Sequence, residues 1–481
     1  MTTEHAQDEA RGHDPAAAAQ TLLARMRRAH RAAPFSDAET RRRHLERLAD
    51  VLLARREALA DAVSADFGSR SRHETLLAEV WVTVNGIRHA RAHVARWMEP
   101  QRREVPWAFQ PARAELVPQP LGVVGIISPW NYPVQLALAP LTGALAAGDR
   151  AMIKPSEHTP ATSELLRAMI SECFAEDHVA VLPGDARFAE AFSSLPFDHL
   201  IFTGSTRVGR KVMRAAAENL TPVTLELGGK SPVIVGRDVE PRAAAAKVML
   251  GKLVNAGQTC VAPDYALVPR ARLDAFVAGA RESVAAMYPT LRSNPDYTSL
   301  ISAGHRDRLR AWLEDARAKG AELVELNPAS ESLEGTNKLA PTLVLGATDE
   351  MTVLQEELFG PVLPVLPYDS LDEAIDHVND RPRPLALYYF GHDPGDVSRV
   401  LDETVSGGVC VNETLLHVGV DDLPFGGVGP SGVGHYHGRE GFEALSKMKP
   451  VFHQARVNGS ALLRPPFGAV AQGLLRLLLG R

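Results

Sequence analysis

The sequence is poor in cysteine and has no excess of positive charge. Its 481 residues include only three cysteines, Cys173, Cys260 and Cys410, which are widely spaced and form no CxxC pair. This number and spacing argue against a disulfide framework and a cysteine metal site, and they favour a reducing, cytoplasmic compartment. The 52 Lys and Arg residues are outnumbered by 58 Asp and Glu residues, for a net charge of -6. A basic surface for nucleic acid is therefore not expected.

Long apolar runs are also lacking. The stretch from Met1 to Pro15 is polar and charged, without the apolar segment of a secretory signal, so export is not expected. The stretch from Phe467 to Gly480 is apolar, but Gln472 and Arg476 interrupt it, and it is shorter than the roughly 20 residues that span a bilayer. We expect this stretch to cover a groove of the protein. A weak contact with a membrane surface is the alternative.

Strands and helices alternate along most of the chain. The stretch from Arg41 to Met98 has apolar residues at helical spacing, and after Pro120 short apolar runs alternate with longer helical segments. Such alternation is typical of parallel sheets covered by helices on both faces. We predict an α/β protein with two doubly wound α/β domains that meet near Leu227. Two further extended pieces, at 114–117 and 450–453, are expected to form a small oligomerisation sheet.

Two motifs point to a nucleotide. Gly204 follows a predicted strand and Ser205 begins a helix, where free N–H groups and the helix dipole favour a phosphate. The same pattern is common in ordinary helix capping, and no convincing G-x-G-x-x-G fingerprint follows a strand. Lys154 and Glu157 follow another strand end, where both side chains could hydrogen-bond a ribose or simply form a solvated salt bridge. The carboxylate of Glu157 would repel a 2′-phosphate, which favours NAD over NADP.

Three more side chains carry groups suited to catalysis. Cys260 lies between a predicted helix and a strand, where a substrate can reach its thiol, whereas Cys173 and Cys410 are expected to be buried as small apolar side chains. Glu226 ends a strand at the domain junction, where partial burial would raise its pKa and suit it to act as a general base. Asn131 follows a strand and offers the amide N–H donor that oxyanion holes use. A loop-tying carboxylate and a turn residue are the alternatives for Glu226 and Asn131.

Seven short motifs occur together in the order of one known family. They are Pro129-Trp130-Asn131, Lys154-Pro-Ser-Glu157, Phe202-Thr-Gly-Ser205, Glu226-Leu-Gly-Gly-Lys230, Gly257-Gln-Thr-Cys260, Glu357-Leu-Phe-Gly-Pro361 and Pro424-Phe-Gly-Gly427. The set resembles the aldehyde dehydrogenase superfamily from about Arg41 to Lys449. Four longer segments resemble its class 3 branch, in particular the coniferyl aldehyde dehydrogenases: Cys260-Val-Ala-Pro-Asp-Tyr265, Leu354-Gln-Glu-Glu-Leu-Phe-Gly360, Asn412-Glu-Thr-Leu-Leu-His417 and Gly434-His-Tyr-His-Gly438.

The resemblance implies a reaction and a role for each motif. It implies NAD(P)-dependent oxidation of an aldehyde, either coniferyl-type aromatic or medium-chain aliphatic, to the carboxylic acid through a thiohemiacetal and a thioester on Cys260. Glu226 would be the general base, with Glu357 or Glu356 sharing that role in some branches, and Asn131 would be the oxyanion donor together with the Cys260 N–H. No metal is implied. The cofactor would contact Trp130, Lys154, Glu157, Gly204, Ser205, Glu357 and Phe359, and Tyr132, Leu415 and His417 are expected to line the substrate tunnel.

The resemblance also assigns the domains and a partner. Residues 1–226 would form the NAD-binding domain with the N-terminal helices, and residues 111–120 within it would belong to the oligomerisation extension. Residues 227–430 would form the catalytic domain, and residues 431–481 a C-terminal oligomerisation segment and tail. The class 3 resemblance implies a homodimer.

Two other functions stay open. One is a CoA-acylating aldehyde dehydrogenase, which the presence of Glu226 disfavours. The other is a non-catalytic membrane-surface protein on the same fold, which the joint presence of Cys260, Glu226 and Asn131 disfavours.

Overall fold

Two largely parallel sheets form the frame of the protein, and the computed structural model describes residues 14–480. The first sheet consists of β3 (Val123–Ile127), β4 (Arg150–Lys154), β5 (Val179–Val181), β6 (His199–Thr203), β7 (Val223–Glu226) and β15 (Gly432–Val433). Their order across the sheet is β15-β7-β6-β3-β4-β5. All neighbours are parallel except β15, which runs antiparallel to β7. Strands β3 and β6 are buried along their whole length, as expected for strands covered on both faces.

The second sheet has seven strands and the same layered design. It consists of β8 (Pro232–Val235), β9 (Tyr265–Pro269), β10 (Glu322–Glu325), β11 (Thr342–Leu345), β12 (Val362–Tyr368), β13 (Ala386–Phe390) and β14 (Gly408–Val411). Their order is β10-β11-β12-β9-β8-β13-β14, and only the edge strand β10 is antiparallel to its neighbour. These two sheets confirm the predicted α/β fold with doubly wound sheets.

A small antiparallel sheet stands apart from both. It is formed by β1 (Gln101–Arg103), β2 (Arg113–Pro120) and β16 (Ser446–His453), with β2 in the centre. Ala114 of β2 pairs with Phe452 of β16, so the two segments expected to form an extension do pair with each other. Strands β1, β10, β11 and β15 were not predicted from the sequence.

Helices cover both faces of the large sheets. They are α1 (Pro15–Ala32), α2 (Ala38–Phe67), α3 (Arg72–Thr75), α4 (Val82–Trp97), α5 (Gln135–Ala147), α6 (Pro160–Cys173), α7 (Ala186–Ser193), α8 (Thr206–Ala217), α9 (Pro241–Leu253), α10 (Leu273–Met287), α11 (Ala303–Ala318), α12 (Thr352–Gln355), α13 (Leu371–Asn379), α14 (Pro394–Glu403), α15 (Gly438–Ala444) and α16 (Ala469–Leu478). A π-helical turn, Leu76–Trp81, joins α3 to α4.

Capping residues determine where the long helix α2 begins and ends. Asp37 accepts a hydrogen bond from the Thr40 N–H at 2.8 Å and so caps the start of α2. Gly68 ends the helix in the left-handed conformation, with φ of 74°, which glycine adopts without strain. The apolar face of α2 packs against α4, α5 and the first sheet in one buried cluster that includes Leu45, Leu52 and Ile126. The predicted helical region before the first sheet is thus confirmed.

The C-terminal stretch does not cover a groove of its own chain. Helix α16 buries Ala471 but leaves Val470, Leu477 and Leu479 exposed, at 65%, 64% and 72%. The expectation of a covering role is therefore wrong for the surface of this chain. None of the helices between residues 14 and 480 combines the length and the apolar character needed to cross a bilayer.

We propose that the domains follow the sheets. The first domain would be residues 1–226, of which 1–13 lie outside the described residues, and the second would be residues 227–430. Within the proposed C-terminal segment, 431–481, Gly432 pairs with Glu226, so this short piece belongs in space to the first sheet.

Candidate active site

The carboxyl edge of the first sheet faces the amino edge of the second. Glu226 is the last residue of β7, and β8 begins at Pro232, only six residues later. Pro232 pairs with Tyr265, the first residue of β9, and Cys260 lies just before that strand. The chain connection and the strand register therefore bring Glu226 and Cys260 to the same junction. Parallel sheets bind ligands at such carboxyl edges.

Glu226 is a buried carboxylate without a hydrogen-bond partner. Its side chain is 2% exposed, and neither carboxylate oxygen accepts a hydrogen bond from any described residue. Burial raises the pKa of Glu226 well above its ordinary value. The backbone is held on both sides, because Glu226 pairs with Thr203 of β6 and Gly432 of β15. The carboxyl group is thus kept where water or a ligand must complete its bonding.

Cys260 follows a tight left-handed turn. After α9, Asn255, Ala256 and Gly257 all have positive φ, at 53°, 51° and 77°. A Cβ at Gly257 would overlap the carbonyl oxygen of Gly360, so both the backbone angle and the space require glycine there. The turn carries the chain from the helix end into the loop, where the Cys260 side chain is half-buried.

The surroundings of the Cys260 thiol disfavour its ionisation. Burial, followed by the nearby carboxylates of Glu357 and Glu226, raises the thiol pKa to about 12. The backbone N–H groups of Cys260 and Val261 act in the opposite direction, because they point hydrogen-bond donors at the sulfur. The thiol therefore holds its proton at neutral pH, and nucleophilic attack requires a group that removes it.

Glu357 is the second carboxyl group beside the thiol. It lies directly against Gly228, where a Cβ would overlap the carboxylate. Burial and the charge of Asp264 raise the Glu357 pKa to about 8, against the effect of the Gly229 N–H and the cations of Lys230 and Lys252. By contrast, the neighbouring Glu356 is exposed. Of the two glutamates left open by the sequence, Glu357 is the one near the thiol.

Asn131 connects the two sides of the junction. Its side-chain Nδ2 donates to the carbonyl oxygen of Gln258 at 3.1 Å, two residues before Cys260. An amide nitrogen carries two N–H groups, so one bond leaves the second available. The next residue, Tyr132, shares a hydrogen bond of 2.7 Å with Thr259. These contacts join Asn131 to the residues directly before Cys260, although 128 residues lie between Asn131 and Cys260 in the sequence.

The predicted nucleotide-contacting residues lie along the first sheet. Lys154 ends β4 and donates to Glu157 at 2.8 Å. Ser205 is exposed at the N-cap of α8, directly after Gly204, and the first turn of that helix contains no acidic residue. The Phe359 ring meets the Trp130 ring edge to face at 5.4 Å. Phe359 lies two residues after Glu357, and its backbone has a positive φ of 52°.

Unpartnered polar atoms at this edge fit a bound dinucleotide. Among the described residues, the hydroxyls of Ser128 and Thr203, which are buried at the ends of β3 and β6, have no hydrogen-bond partner, like the carboxylate of Glu226. Buried polar groups normally have partners, so three such groups on neighbouring strands point to a ligand. A helix N-terminus and exposed Ser205 beside them suit a diphosphate. Between residues 14 and 480, no cluster of three or more His, Cys, Asp or Glu side chains is arranged to hold a metal ion.

A cavity opens next to the junction. It lies between α4, α5 and the segment around Tyr436. Tyr436 is buried, and its pKa is raised by burial and by the nearby Glu226 and Cys260. Its hydroxyl has no partner among the described residues. The other walls are both apolar and polar, and include Val82, Gln135, Ala139 and Asp421.

Some residues at the junction were not predicted from the sequence, and the burial of two cysteines was predicted wrongly. Tyr436 was seen only as part of a family-like motif, and Lys252 was not identified. Lys252 is fully buried, with a pKa lowered to about 8 by burial. No sequence signal separated it from the exposed lysines. Cys173 and Cys410 are half-buried, as Cys260 is, so the expectation that they are buried is wrong.

The whole sequence is similar to known aldehyde dehydrogenases, in agreement with the groups found at the site. A family model for the aldehyde dehydrogenase family matches residues 2–451. The chain is 54% identical to a probable coniferyl aldehyde dehydrogenase of Pseudomonas aeruginosa, over 96% of each protein. It is 52% identical to a coniferyl aldehyde dehydrogenase of Pseudomonas sp. (strain HR199), over 95% of this chain and 96% of the relative. It is also 36% identical to aldehyde dehydrogenase family 3 member A2 of Rattus norvegicus, over 89% of this chain and 86% of the relative.

Solved structures show the same fold. Staphylococcus aureus AldH in a substrate-bound state superposes with a TM-score of 0.90 at 35% identity, over 95% of this chain and 99% of that one. Mycobacterium tuberculosis aldehyde dehydrogenase complexed with NAD+ superposes with a TM-score of 0.81 at 30% identity, over 90% and 89% of the two chains. The chain therefore belongs to the aldehyde dehydrogenase family, and it is an enzyme that oxidises an aldehyde with NAD(P) as cofactor.

Proposed function

We propose that Cys260 is the nucleophile, Glu226 the general base and Asn131 the oxyanion donor of this aldehyde oxidation. The observation that carries the proposal is the pairing of a half-buried thiol with a buried, unpartnered carboxylate at one junction. The pKa of each group is raised, chiefly by burial, and the charge of Glu226 adds to the rise at Cys260, as is common for neighbouring groups in a functional site. Asn131, Glu226 and Cys260 are spread over 130 residues of the sequence, and folding brings them to one junction.

In the first step, the sulfur of Cys260 adds to the aldehyde carbon. The thiol proton moves to a nearby carboxylate, a C–S bond forms, and the carbonyl oxygen becomes an alkoxide. The second Nδ2–H of Asn131 and the Cys260 N–H would donate to that oxygen. The raised thiol pKa makes a proton acceptor necessary, and the ionised fraction of Glu357 or Glu226 can take this role.

The second half of the reaction releases the acid. When bound, NAD supplies the hydride acceptor that converts the thiohemiacetal into a thioester. Lys154 and Glu157 would hold the ribose, Gly204 and Ser205 the diphosphate, and Trp130, Glu357 and Phe359 would confine the nicotinamide end. Glu226 then removes a proton from water as its oxygen attacks the thioester carbon, the C–S bond breaks, and the sulfur regains a proton. The presence of this base favours water over CoA as the acyl acceptor.

Replacing Cys260 by Ala should lower aldehyde oxidation by about a thousandfold or more, because the covalent route is lost. NAD should still bind, as measured by isothermal titration. Cys173→Ala is the matched control, since that thiol is also half-buried but lies at the end of α6, away from the junction. Full activity in Cys260→Ala, followed as NADH absorbance, would refute the nucleophile assignment.

Replacing Glu226 by Gln should slow thioester hydrolysis by about 10²–10⁴-fold and leave a burst of NADH, because the acyl-enzyme accumulates. The base acts when ionised, and burial raises its pKa well above the ordinary value, so wild-type turnover should go on increasing with pH above the range in which a solvated carboxyl group titrates. In Glu226→Gln this rise in the hydrolysis step should disappear. Stopped-flow traces at several pH values measure both effects, and a wild-type pH dependence retained by the variant contradicts the base role.

We propose a coniferyl-type aromatic aldehyde as the preferred substrate, with medium-chain aliphatic aldehydes as the second candidate. Two relatives at more than 50% identity are named for coniferyl aldehyde. The cavity beside Tyr436 supports the proposal, because its walls offer apolar contacts for a ring and polar side chains for ring hydroxyl groups. Tyr132 and Leu415 would line the path from this cavity to Cys260. His417 would line it as well, since its ring lies 6.0 Å from that of Tyr388, whose hydroxyl donates to the carbonyl oxygen of Val261 beside Cys260.

Filling the cavity should distinguish an aldehyde with an aromatic ring from a short aldehyde that does not reach the cavity. Ala139 is half-buried on α5 and contributes to the cavity wall, so Ala139→Leu adds three carbon atoms there. We expect the KM for coniferyl aldehyde to increase about tenfold, while the KM for propanal changes less than about twofold. Initial rates with both aldehydes measure this difference. Equal changes for both aldehydes would remove the cavity from the substrate path.

We also propose a homodimer that forms through the small sheet. Trp107, Phe109 and Phe452 are exposed on this extension, at 64%, 49% and 53%, and such apolar clusters commonly mark interfaces. Sedimentation velocity should give about twice the mass of the 481-residue chain, and Phe452→Asp should shift the protein toward monomer. A wild-type monomer at micromolar concentration contradicts the proposal. The cytoplasmic location stays a prediction.

A further inference from the structure

We infer that the buried ion pair between Arg70 and Glu79 positions Asn131, and that both side chains thereby act on the reaction without touching the substrate. The inference rests on the proposed function, since it takes Asn131 as the oxyanion donor. It concerns a helical region that precedes the first sheet and carries none of the seven family-like motifs.

Glu79 supplies the start of the helix that follows Asn131. It lies in the π-helical turn between α3 and α4 and is completely buried. Its Oε2 accepts hydrogen bonds from the N–H groups of Val134 at 2.7 Å and Gln135 at 3.2 Å. Val134 is the N-cap of α5 and its side chain forms no capping bond. Glu79 therefore provides the acceptor that the helix N-terminus lacks. Burial raises the pKa of Glu79, and the charge of Arg70 and the two N–H donors oppose that rise and favour the charged form. Such π-turns occur frequently at functional sites.

Arg70 connects Glu79 to Asn131. Its Nη1 lies 3.1 Å from Glu79 Oε1, with both side chains 0% exposed, and the same nitrogen donates to the carbonyl oxygen of Asn131 at 2.9 Å. The guanidinium carbon is 5.0 Å from the centre of the Phe67 ring and 4.8 Å from that of the Tyr132 ring. The planar group is thus held between two aromatic rings and has one orientation available.

The same helical region holds the turn before Cys260. The carbonyl oxygen of Asn131 accepts a second hydrogen bond, from Asn255 Nδ2 at 2.9 Å. The backbone N–H of Asn255 donates to Glu74 Oε2 at 3.0 Å. Since Asn131 Nδ2 donates to Gln258 at 3.1 Å, the two loops that carry the donor and the nucleophile are joined to each other and to residues 70–79.

An ion pair that only stabilises the fold and an ion pair that positions Asn131 have different effects on kcat when they are lost. Loss of a structural pair lowers stability, whereas its effect on catalysis does not depend on Asn131. Loss of a positioning pair lowers kcat through the misplaced donor, so the effect requires the Asn131 side chain. A displacement of about 1 Å in such a group can reduce the rate about 100-fold. A double-mutant cycle separates the two cases.

The test uses two conservative variants in two backgrounds. Glu79→Gln keeps the shape and an acceptor oxygen but removes the charge, and Arg70→Lys keeps the charge but removes the planar group. Each should lower kcat about 10-fold to 100-fold, with the KM for aldehyde changed less than about threefold. In the Asn131→Ala background, neither should lower kcat further by more than about twofold. Arg72→Lys is the control, because Arg72 is on α3 but forms an exposed ion pair with Asp61 at 2.8 Å, and its kcat should be unchanged.

The possible results are distinct. Unchanged kcat in the folded Arg70 and Glu79 variants, or an equal loss in the Asn131→Ala background, overturns the inference while the proposed function stands. Full kcat in Asn131→Ala alone means that the oxyanion assignment itself has failed. Circular dichroism and thermal unfolding establish folding. If neither single variant folds, Arg70→Met combined with Glu79→Leu removes both charges together, which buried sites tolerate better, and the same kinetic comparison applies.

Discussion

The site depends on a carboxylate that the fold buries without a partner. Glu226 is held between Thr203 and Gly432 by strand pairing, so the backbone cannot turn its side chain out to solvent. An ionised carboxylate in such a place is costly, and the group responds with a raised pKa. The proposed chemistry makes use of this property, because a carboxylate with a raised pKa accepts a proton from water more readily than an ordinary carboxylate does.

The same constraint extends to the thiol. The carboxylates of Glu357 and Glu226 both act on the Cys260 thiol, and the pKa of each of the three groups is raised, chiefly by burial. The buried cation of Lys252 and the Lys230–Asp264 ion pair limit the repulsion among the carboxylates. Proton transfer among Cys260, Glu226 and Glu357 depends on the differences between their pKa values. The positions of the strands and of the left-handed turn at Asn255 set those differences.

Much of the fold could be predicted from residue patterns. Strand β3 and the helix that follows it fit the predicted alternation after Pro120, because continuous apolar runs between turn residues have few other solutions. Strand β10, Glu322–Glu325, was not recognised, since this edge strand has charged residues and no buried run. Strand β11, Thr342–Leu345, is buried and apolar but only four residues long, and it was missed as well. The two-residue strand β15 is too short to have a pattern. It exists because the chain near Gly432 returns to Glu226.

For the candidate site, the sequence by itself determined the chemical groups: a cysteine on a loop, a glutamate at a strand end, an asparagine after a strand, and motifs in the order of one family. Each has a local signature, because turn glycines and strand ends leave marks on neighbouring positions. Only the tertiary structure decided that Tyr436 and Lys252 are buried at the junction, that Glu357 and not Glu356 faces the thiol, and that Arg70 and Glu79 hold Asn131. These facts depend on contacts between segments far apart in the chain, and burial across such distances leaves no local pattern to read.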